Sequence, residues 1–361
     1  CWFESGSMPF AQVHYPFENK DWFDAHSPAD FIVEYIAQTR GWFYTLHVLS
    51  GALFDRPAFS NVICHGVVLD HEGRKLSKKL RNYPDPEDVF ESHGSDALRW
   101  HLMASPILRG GDLRIATDAS DFHDVIRLVL NPIWNAYSFF TMYANADGIT
   151  AQRRTDAEGL LDRYILAKTA ALVEVTTERM DRYDIAGTCA EVQAYLDALN
   201  NWYIRRSRER FWAPGSDDPA LVADKRDAYD TLFTVLTTLV QVVAPLLPMV
   251  AEEIHLGLCG TGELGDASVH LLDWPDTAEL PQDPELVAQM DRIREVCSVA
   301  LGLREDNRLR ARLPLQSLTI AGRDLGGLEE LTGLVRDEVN VREVVLTDDL
   351  STVGQFLLRP N

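Results

Sequence analysis

The stretch Asn61-Val62-Ile63-Cys64-His65-Gly66-Val67-Val68-Leu69-Asp70 constrains this chain more than any other. It is short, apolar and β-branched, and turn-forming residues close it, so residues 61–69 read as one buried strand. The basic run Gly73-Arg74-Lys75-Leu76-Ser77-Lys78-Lys79 follows, and then Asn82-Tyr83-Pro84-Asp85-Pro86-Glu87-Asp88. Asp85 is placed to cap a helix, Pro86 suits its first position, and Glu87 and Asp88 favour the positive end of the helix dipole. Strand, basic loop and helix in that order belong to an α/β unit, and in open sheets ligands bind at the carboxyl ends of the strands. Ammonium groups on such a loop suit the oxygens of a polyphosphate, where charge builds as a bond breaks. The same residues are also compatible with a solvated basic turn.

Upstream, Phe31-Ile32-Val33-Glu34-Tyr35-Ile36 is a second strand candidate, and residues 38–53 carry Trp42, Phe43, Leu46, Leu49 and Leu53 at helical spacing. A strand handing over to a helix there sets Glu34 and Gln38 at the strand's carboxyl end. Ser95 is placed to cap a helix that stops before Pro106. Residues 1–115 therefore read as α/β, half of a doubly wound (Rossmann-like) sheet. Residues 116–270 change character. Ser120 caps a periodic stretch running to Tyr143, Asn145-Ala146-Asp147-Gly148 breaks it, and helical patterns cover 156–182, 186–212 and 219–244 before a last segment near Leu258. Short polar connections make an all-α, antiparallel helical bundle the simplest architecture. Residues 271–361 read as a small α+β piece: a helix over 284–303, alternation at 317–321, an apolar helix near 326–337 and a strand at 342–347.

Composition excludes several classes. A formal net charge of -21 argues against a general nucleic-acid binder. Local basic patches exist all the same: Arg205, Arg206, Arg208 and Arg210 lie among Trp202, Tyr203, Phe211 and Trp212, and Arg308, Arg310 and Arg312 form a second group. Cysteines at 1, 64, 189, 259 and 297 are scattered with no C-x-x-C pair, which indicates neither a disulfide framework nor a zinc site and fits a reducing cytosol. No apolar run approaches the ~18 residues that mark a membrane span, and no signal peptide opens the chain. The chain starts at Cys1-Trp2-Phe3, without methionine and already inside an apolar motif, and so reads as a fragment.

Lys75-Leu76-Ser77-Lys78-Lys79 resembles the KMSKS signature of the class I aminoacyl-tRNA synthetases, with Leu76 in place of its Met and Lys79 in place of its last Ser. Leucine keeps an apolar body of similar volume, and neither change removes the phosphate-holding lysines. Three further segments are similar, in order and spacing, to the isoleucyl branch of that family, of the kind shared by eukaryotes and some bacteria. They are Cys1-Trp2-Phe3-Glu4-Ser5-Gly6-Ser7-Met8-Pro9, Val33-Glu34-Tyr35-Ile36-Ala37-Gln38-Thr39-Arg40-Gly41-Trp42-Phe43 and Asn82-Tyr83-Pro84-Asp85-Pro86. Leu160-Leu161-Asp162-Arg163-Tyr164-Ile165-Leu166 and Asn201-Trp202-Tyr203-Ile204-Arg205-Arg206-Ser207-Arg208 resemble the family's helical anticodon-binding domain, and the tail its carboxyl-terminal junction region. Neither the HIGH signature nor the inserted editing domain has a counterpart in the sequence, and His65-Gly66 is not the missing motif, because it lacks the H-x-G-H pattern.

The resemblance implies ATP-dependent ligation of L-isoleucine to isoleucine tRNA through an isoleucyl-adenylate, carried out by the full enzyme and not by the fragment alone. It implies Mg2+ accompanying ATP, no protein-bound zinc, and a cytoplasmic monomer without membrane contact. Lys78 would be the lysine that meets developing pyrophosphate charge, Lys75 would assist, and Leu76, Ser77, His65 and Gly66 would complete the ATP site. Glu34 and Gln38 would bind the aminoacyl-adenylate. Trp2 and Trp42 would wall the isoleucine side chain, since rigid aromatic faces suit a branched aliphatic group. Arg205, Arg206 and Arg208 would contact the tRNA backbone. From the residues alone His65 also fits strand packing, Trp42 a helix core stripe, and the arginines internal anchors. Valyl- and leucyl-tRNA synthetases share the loop and the helical domain but differ around Trp2 and residues 38–43. A non-catalytic helical tRNA-binding module is the alternative outside the enzyme class.

Overall fold

In the computed structural model, which describes residues 1–259, 268–323 and 325–352, the β-branched stretch after residue 58 is two strands rather than one. Strand β1 (Ala29–Tyr35) runs parallel to β2 (Phe59–His65), with the helix Trp42–Phe54 between them in the chain. Strand β3 (Val68–Asp70) then pairs in parallel with β4 (Leu113–Ile115), a different neighbour. The change of partner happens at Gly66. Its amide donates to the Ile107 carbonyl at 2.9 Å, and the Val67 amide to Asp112 Oδ1 at 3.1 Å. A Cβ on residue 66 would stand 1.8 Å from the Gly111 carbonyl oxygen, so only glycine lets these backbones meet. The single strand expected over 61–69 is thus corrected to two. The doubly wound sheet is represented, among the described residues, by these two separate parallel pairs.

Two compact units organise the chain. One comprises Cys1–Asn145, Leu172–Asp197 and Leu236–Pro275, and the other Ala146–Ala171, Ala198–Val235 and Asp276–Asn361. In the first unit, the helix Trp42–Phe54 buries Phe43, Leu46 and Ser50 on one face. It packs on the helix Trp2–Ala11, where a Cβ on Gly6 would come within 2.9 Å of Leu49 Cδ1. Asp85 caps the helix Pro86–His93 by accepting from the Glu87 amide at 3.0 Å, as its sequence predicts. Ser95 does not cap. Gly94, at φ 82°, holds that position, and Ser95 is the first residue of the helix Ser95–Ala104.

Asp96 has a longer reach. Its buried carboxylate accepts from the amides of Met249 (3.1 Å) and Val250 (2.8 Å), capping the helix Pro248–Cys259 from outside it. Ser120 likewise makes no side-chain cap. Asp121 Oδ2 instead takes the Ala116 amide at 2.6 Å, and the helix Asp121–Val125 continues through a π turn, Ile126–Leu130, into Asn131–Asp147. Pro132 explains the π turn, because a proline ring clashes with the carbonyl four residues before it in a regular α-helix.

The second unit is anchored by a buried ion pair. Asp162 is 0% exposed and accepts from Tyr203 Oη at 2.7 Å and from both terminal nitrogens of Arg210 at 2.8 Å. Burial, then the Asp162 charge, push the Tyr203 hydroxyl well above its ordinary pKa, so it stays a donor. Strands β5 (Leu315–Ala321) and β6 (Val341–Thr347) are parallel around the helix Thr332–Val339, the β-α-β piece expected of the tail.

Asp162→Ala leaves Arg210 only the more exposed Asp224 as partner and Tyr203 without its acceptor, and the expected loss is about 1–3 kcal/mol in denaturant unfolding. A loss near zero would show that the pair anchors nothing. Burial raises the thiols of Cys189 and Cys297 to about 12, so native-state alkylation should label exposed Cys1 and reach those two only after unfolding.

Candidate active site

The carboxyl ends of β1 and β2 bring Glu34 and His65 together. Register sets Glu34 opposite Cys64 and Tyr35 opposite His65, and Glu34 Oε2 lies 4.0 Å from His65 Nε2. The same oxygen accepts from the Tyr35 amide at 2.6 Å, and His65 Nδ1 is 2.8 Å from the Gly66 carbonyl. Both side chains remain partly open to solvent. Gly66 makes a close approach to the backbone of Gly111.

A 3₁₀ turn, Ile36–Arg40, carries the chain from β1 into the next helix. Gln38 Oε1 accepts from the Trp42 amide at 3.0 Å, which satisfies one orphan donor at the helix start. Gly41 is wedged beside it: a Cβ there would meet Gln38 Oε1 at 2.8 Å and Trp2 Cη2 at 3.1 Å. The Trp42 indole donates to the Ser5 carbonyl at 3.1 Å. Trp2, Gln38 and Trp42 are therefore neighbours in one corner, where Trp2 remains 57% exposed.

The basic loop hangs from a buried anchor that sequence reasoning missed. Asp70, 0% exposed, accepts from the amides of Glu72 (3.0 Å) and Arg74 (2.8 Å), from Arg74 Nε (2.9 Å) and from Asn82 Nδ2 (2.8 Å). Asn82 in turn accepts from the Ser77 amide at 2.9 Å and donates to the Lys75 carbonyl at 3.2 Å. The signal was present, because a carboxylate ending an apolar strand needs hydrogen-bond donors when buried. Lys75, Lys78 and Lys79 are exposed, and among the described residues none has a carboxylate within 4.0 Å. Lys75 bridges back to Leu69. Four residues of chain span at most about 14 Å and a bridge adds about 5 Å, so Lys75 Cα lies within about 20 Å of His65 Cα.

The arginines divide. Arg205 and Arg206 both pair with Glu338, Arg206 at 3.0 Å, and Arg206 also stacks 4.9 Å over the Trp202 ring. Arg208 is exposed, and among the described residues it has no carboxylate within 4.0 Å; the same holds for Arg308, Arg310 and Arg312. Arg308 and Arg310 line a cavity of about 410 Å³ with Arg304 and Glu305. Among the described residues no group of three or more His, Cys, Asp or Glu is arranged to hold a metal ion, and no helix is long and apolar enough to cross a membrane.

Residues 1–115 match the family model for class I tRNA synthetases (I, L, M and V), and residues 162–319 match that for the anticodon-binding domain of tRNA ligases. The isoleucine–tRNA ligase of Leifsonia xyli is 56% identical over 96% of this chain and 30% of its own length. Those of Nocardia farcinica and Mycobacterium tuberculosis are 54% and 53% identical over 100% of this chain and 33% of theirs. The chain thus spans about a third of the length of the curated relatives it matches. Among solved structures, Agrobacterium radiobacter LeuRS with tRNA and LeuAMS superposes with a TM-score of 0.56 at 17% identity, covering 94% of this chain and 40% of that one. Mycobacterium tuberculosis methionyl-tRNA synthetase bound by methionyl-adenylate gives 0.58 at 21%, covering 73% and 52%. At these identities the likeness is one of fold.

Burial alone would raise the pKa of Asp70, but donation from Asn82 and Arg74 overrides it and holds the carboxylate well below its ordinary range. A depressed carboxylate contributes stability above its unfolded pKa, and that contribution is lost as pH falls through the folded value. The Asp70 carboxyl carbon resonance should therefore show no inflection near about pH 3.9, where an exposed aspartate titrates. An inflection there would mean that the anchor is open to water.

Proposed function

Because the chain belongs to the class I aminoacyl-tRNA synthetases, on the isoleucine–tRNA ligase branch, we propose that its full enzyme joins L-isoleucine to isoleucine tRNA by way of isoleucyl-adenylate. Residues 1–115 supply part of the catalytic domain, 116–270 the anticodon-binding helices and 271–361 the start of the junction region. The amino-acid carboxylate attacks the α-phosphate of ATP, pyrophosphate leaves, and the acyl group passes to the terminal ribose of the tRNA. In the first step positioning and charge stabilisation do most of the work.

One observation carries this reading: in a protein of net charge -21, Lys75, Lys78 and Lys79 stand exposed, with no carboxylate partner among the described residues, on a loop held from beneath. Lys78 meets the charge developing on pyrophosphate and Lys75 assists, with Leu76 and Ser77 shaping the loop between them. His65 and the Gly66 backbone border the nucleoside side. Glu34 and Gln38 hold the adenylate, and Trp2 and Trp42 enclose the isoleucine side chain. Magnesium, which the family implies, would come on the nucleotide's phosphates, since the described residues gather no acidic cluster to hold it.

The relatives' identity favours isoleucine over valine or leucine as the amino acid. For tRNA contact, Arg208 and the group at 308–312 are the better phosphate partners. Arg205 and Arg206 share Glu338 and shape that surface from within. The scattered, unpaired cysteines suit a cytoplasmic enzyme.

Lys78→Ala in the full-length enzyme should slow isoleucine-dependent ATP–pyrophosphate exchange at least about a hundredfold, the scale of losing one preorganised donor, with folding intact. Exchange at the wild-type rate would remove the loop from the reaction.

A further inference from the structure

We propose that Asp70 and Asn82 are positioning residues for adenylate formation: as a latch beneath residues 73–81 they set where Lys75 and Lys78 present their ammonium groups. This rests on reading that loop as the ATP-phosphate site. The two side chains touch at 2.8 Å and are 0% and 7% exposed. Each closes a different part of the loop. Asp70 gathers the amides of Glu72 and Arg74 at its start, and its own amide donates to the Arg74 carbonyl at 2.8 Å. Asn82 holds the Lys75 carbonyl and the Ser77 amide, the backbone on either side of Leu76.

Beyond Ser77 the latch makes no contact. The Ser77 carbonyl accepts from the amides of Leu80 (3.1 Å) and Arg81 (2.9 Å), and Arg81 turns the chain at φ 48° into Asn82. The loop is therefore fixed at both ends, and the lysine side chains project from a short fixed span. Lysines that only solvated the surface would need no such foundation, because neighbouring cations repel and disperse in water. A buried carboxylate–amide pair is costly unless fully satisfied, and this one is satisfied entirely by loop groups. What it provides is position. Displacing a catalytic donor by about 1 Å costs on the order of a hundredfold in rate.

Asn82→Ala in the full-length enzyme should lower kcat for isoleucine-dependent ATP–pyrophosphate exchange about tenfold or more, with KM for isoleucine unchanged, and speed tryptic cleavage after Lys75, Lys78 and Lys79. The second variant is Asn82→Asp, which keeps an oxygen for the Ser77 amide but has no hydrogen to give Asp70 or the Lys75 carbonyl. It should lose kcat as Asn82→Ala does, again with KM for isoleucine unchanged, a split that a general loss of folded protein would not produce. Wild-type kcat in either variant, or a change confined to KM in a protein that melts normally, would overturn the latch. Lys78→Ala separates the two levels. If that variant is inactive while Asn82→Ala is normal, only the latch falls; if Lys78→Ala is itself normal, the loop is not the phosphate site and both fall.

Discussion

The backbone contact between Gly66 and Gly111 is the constraint from which the first unit's geometry follows. Two chains approach there with no room for a Cβ, so β2 must stop at His65 and the chain must turn to a new neighbour. That stop leaves His65 at a strand end beside Glu34. The new pairing aligns β3 so that Asp70 points into the protein, where the basic loop gathers around it. A side chain at 66 would move three things together: the end of one parallel pair, the start of the next, and the support of the lysines.

Charge follows the same logic in both units. Wherever a carboxylate is fully buried, backbone amides or guanidinium groups surround it: Asp70 under the loop, Asp96 at a helix start, Asp162 against Arg210. Burying a charge without such partners is strongly unfavourable, so each of these residues fixes the segment that supplies its donors. The exposed cations at 75, 78, 79 and 208 are the complement. A protein this acidic has ample carboxylates with which to neutralise them, yet among the described residues none pairs with them, which sets them apart from Arg205 and Arg206, neutralised within their own unit.

Much of this was legible in the sequence. Helical periodicity placed the long helices well, because a 3.6-residue apolar stripe over many turns has few competing explanations. Asp85 and Pro86 announced their helix because capping is local chemistry. What the sequence hid was non-local. Strand alternation says nothing about which neighbour a strand pairs with, so the break at Gly66 was invisible until Gly111 met it in space. Ser95 and Ser120 looked like side-chain caps, but Gly94 holds the first position and Ser120 holds the second without a side-chain hydrogen bond, since the chain's entry angle decides which group reaches the free amides. Glu338, far along the chain, pairs with both Arg205 and Arg206, a contact that no local pattern announces.

The wedge at Gly41 bears on how such a corner could be re-engineered. A Cβ at position 41 would press on the Gln38 side-chain oxygen at 2.8 Å and on the Trp2 ring at 3.1 Å, so any larger residue there has to displace both side chains. Varying the floor of this corner would therefore first move Gln38 off the Trp42 amide it holds. On the proposed reading of this corner, a bulkier or slimmer aliphatic group is met by changing the two tryptophans, one of which is still largely open to water.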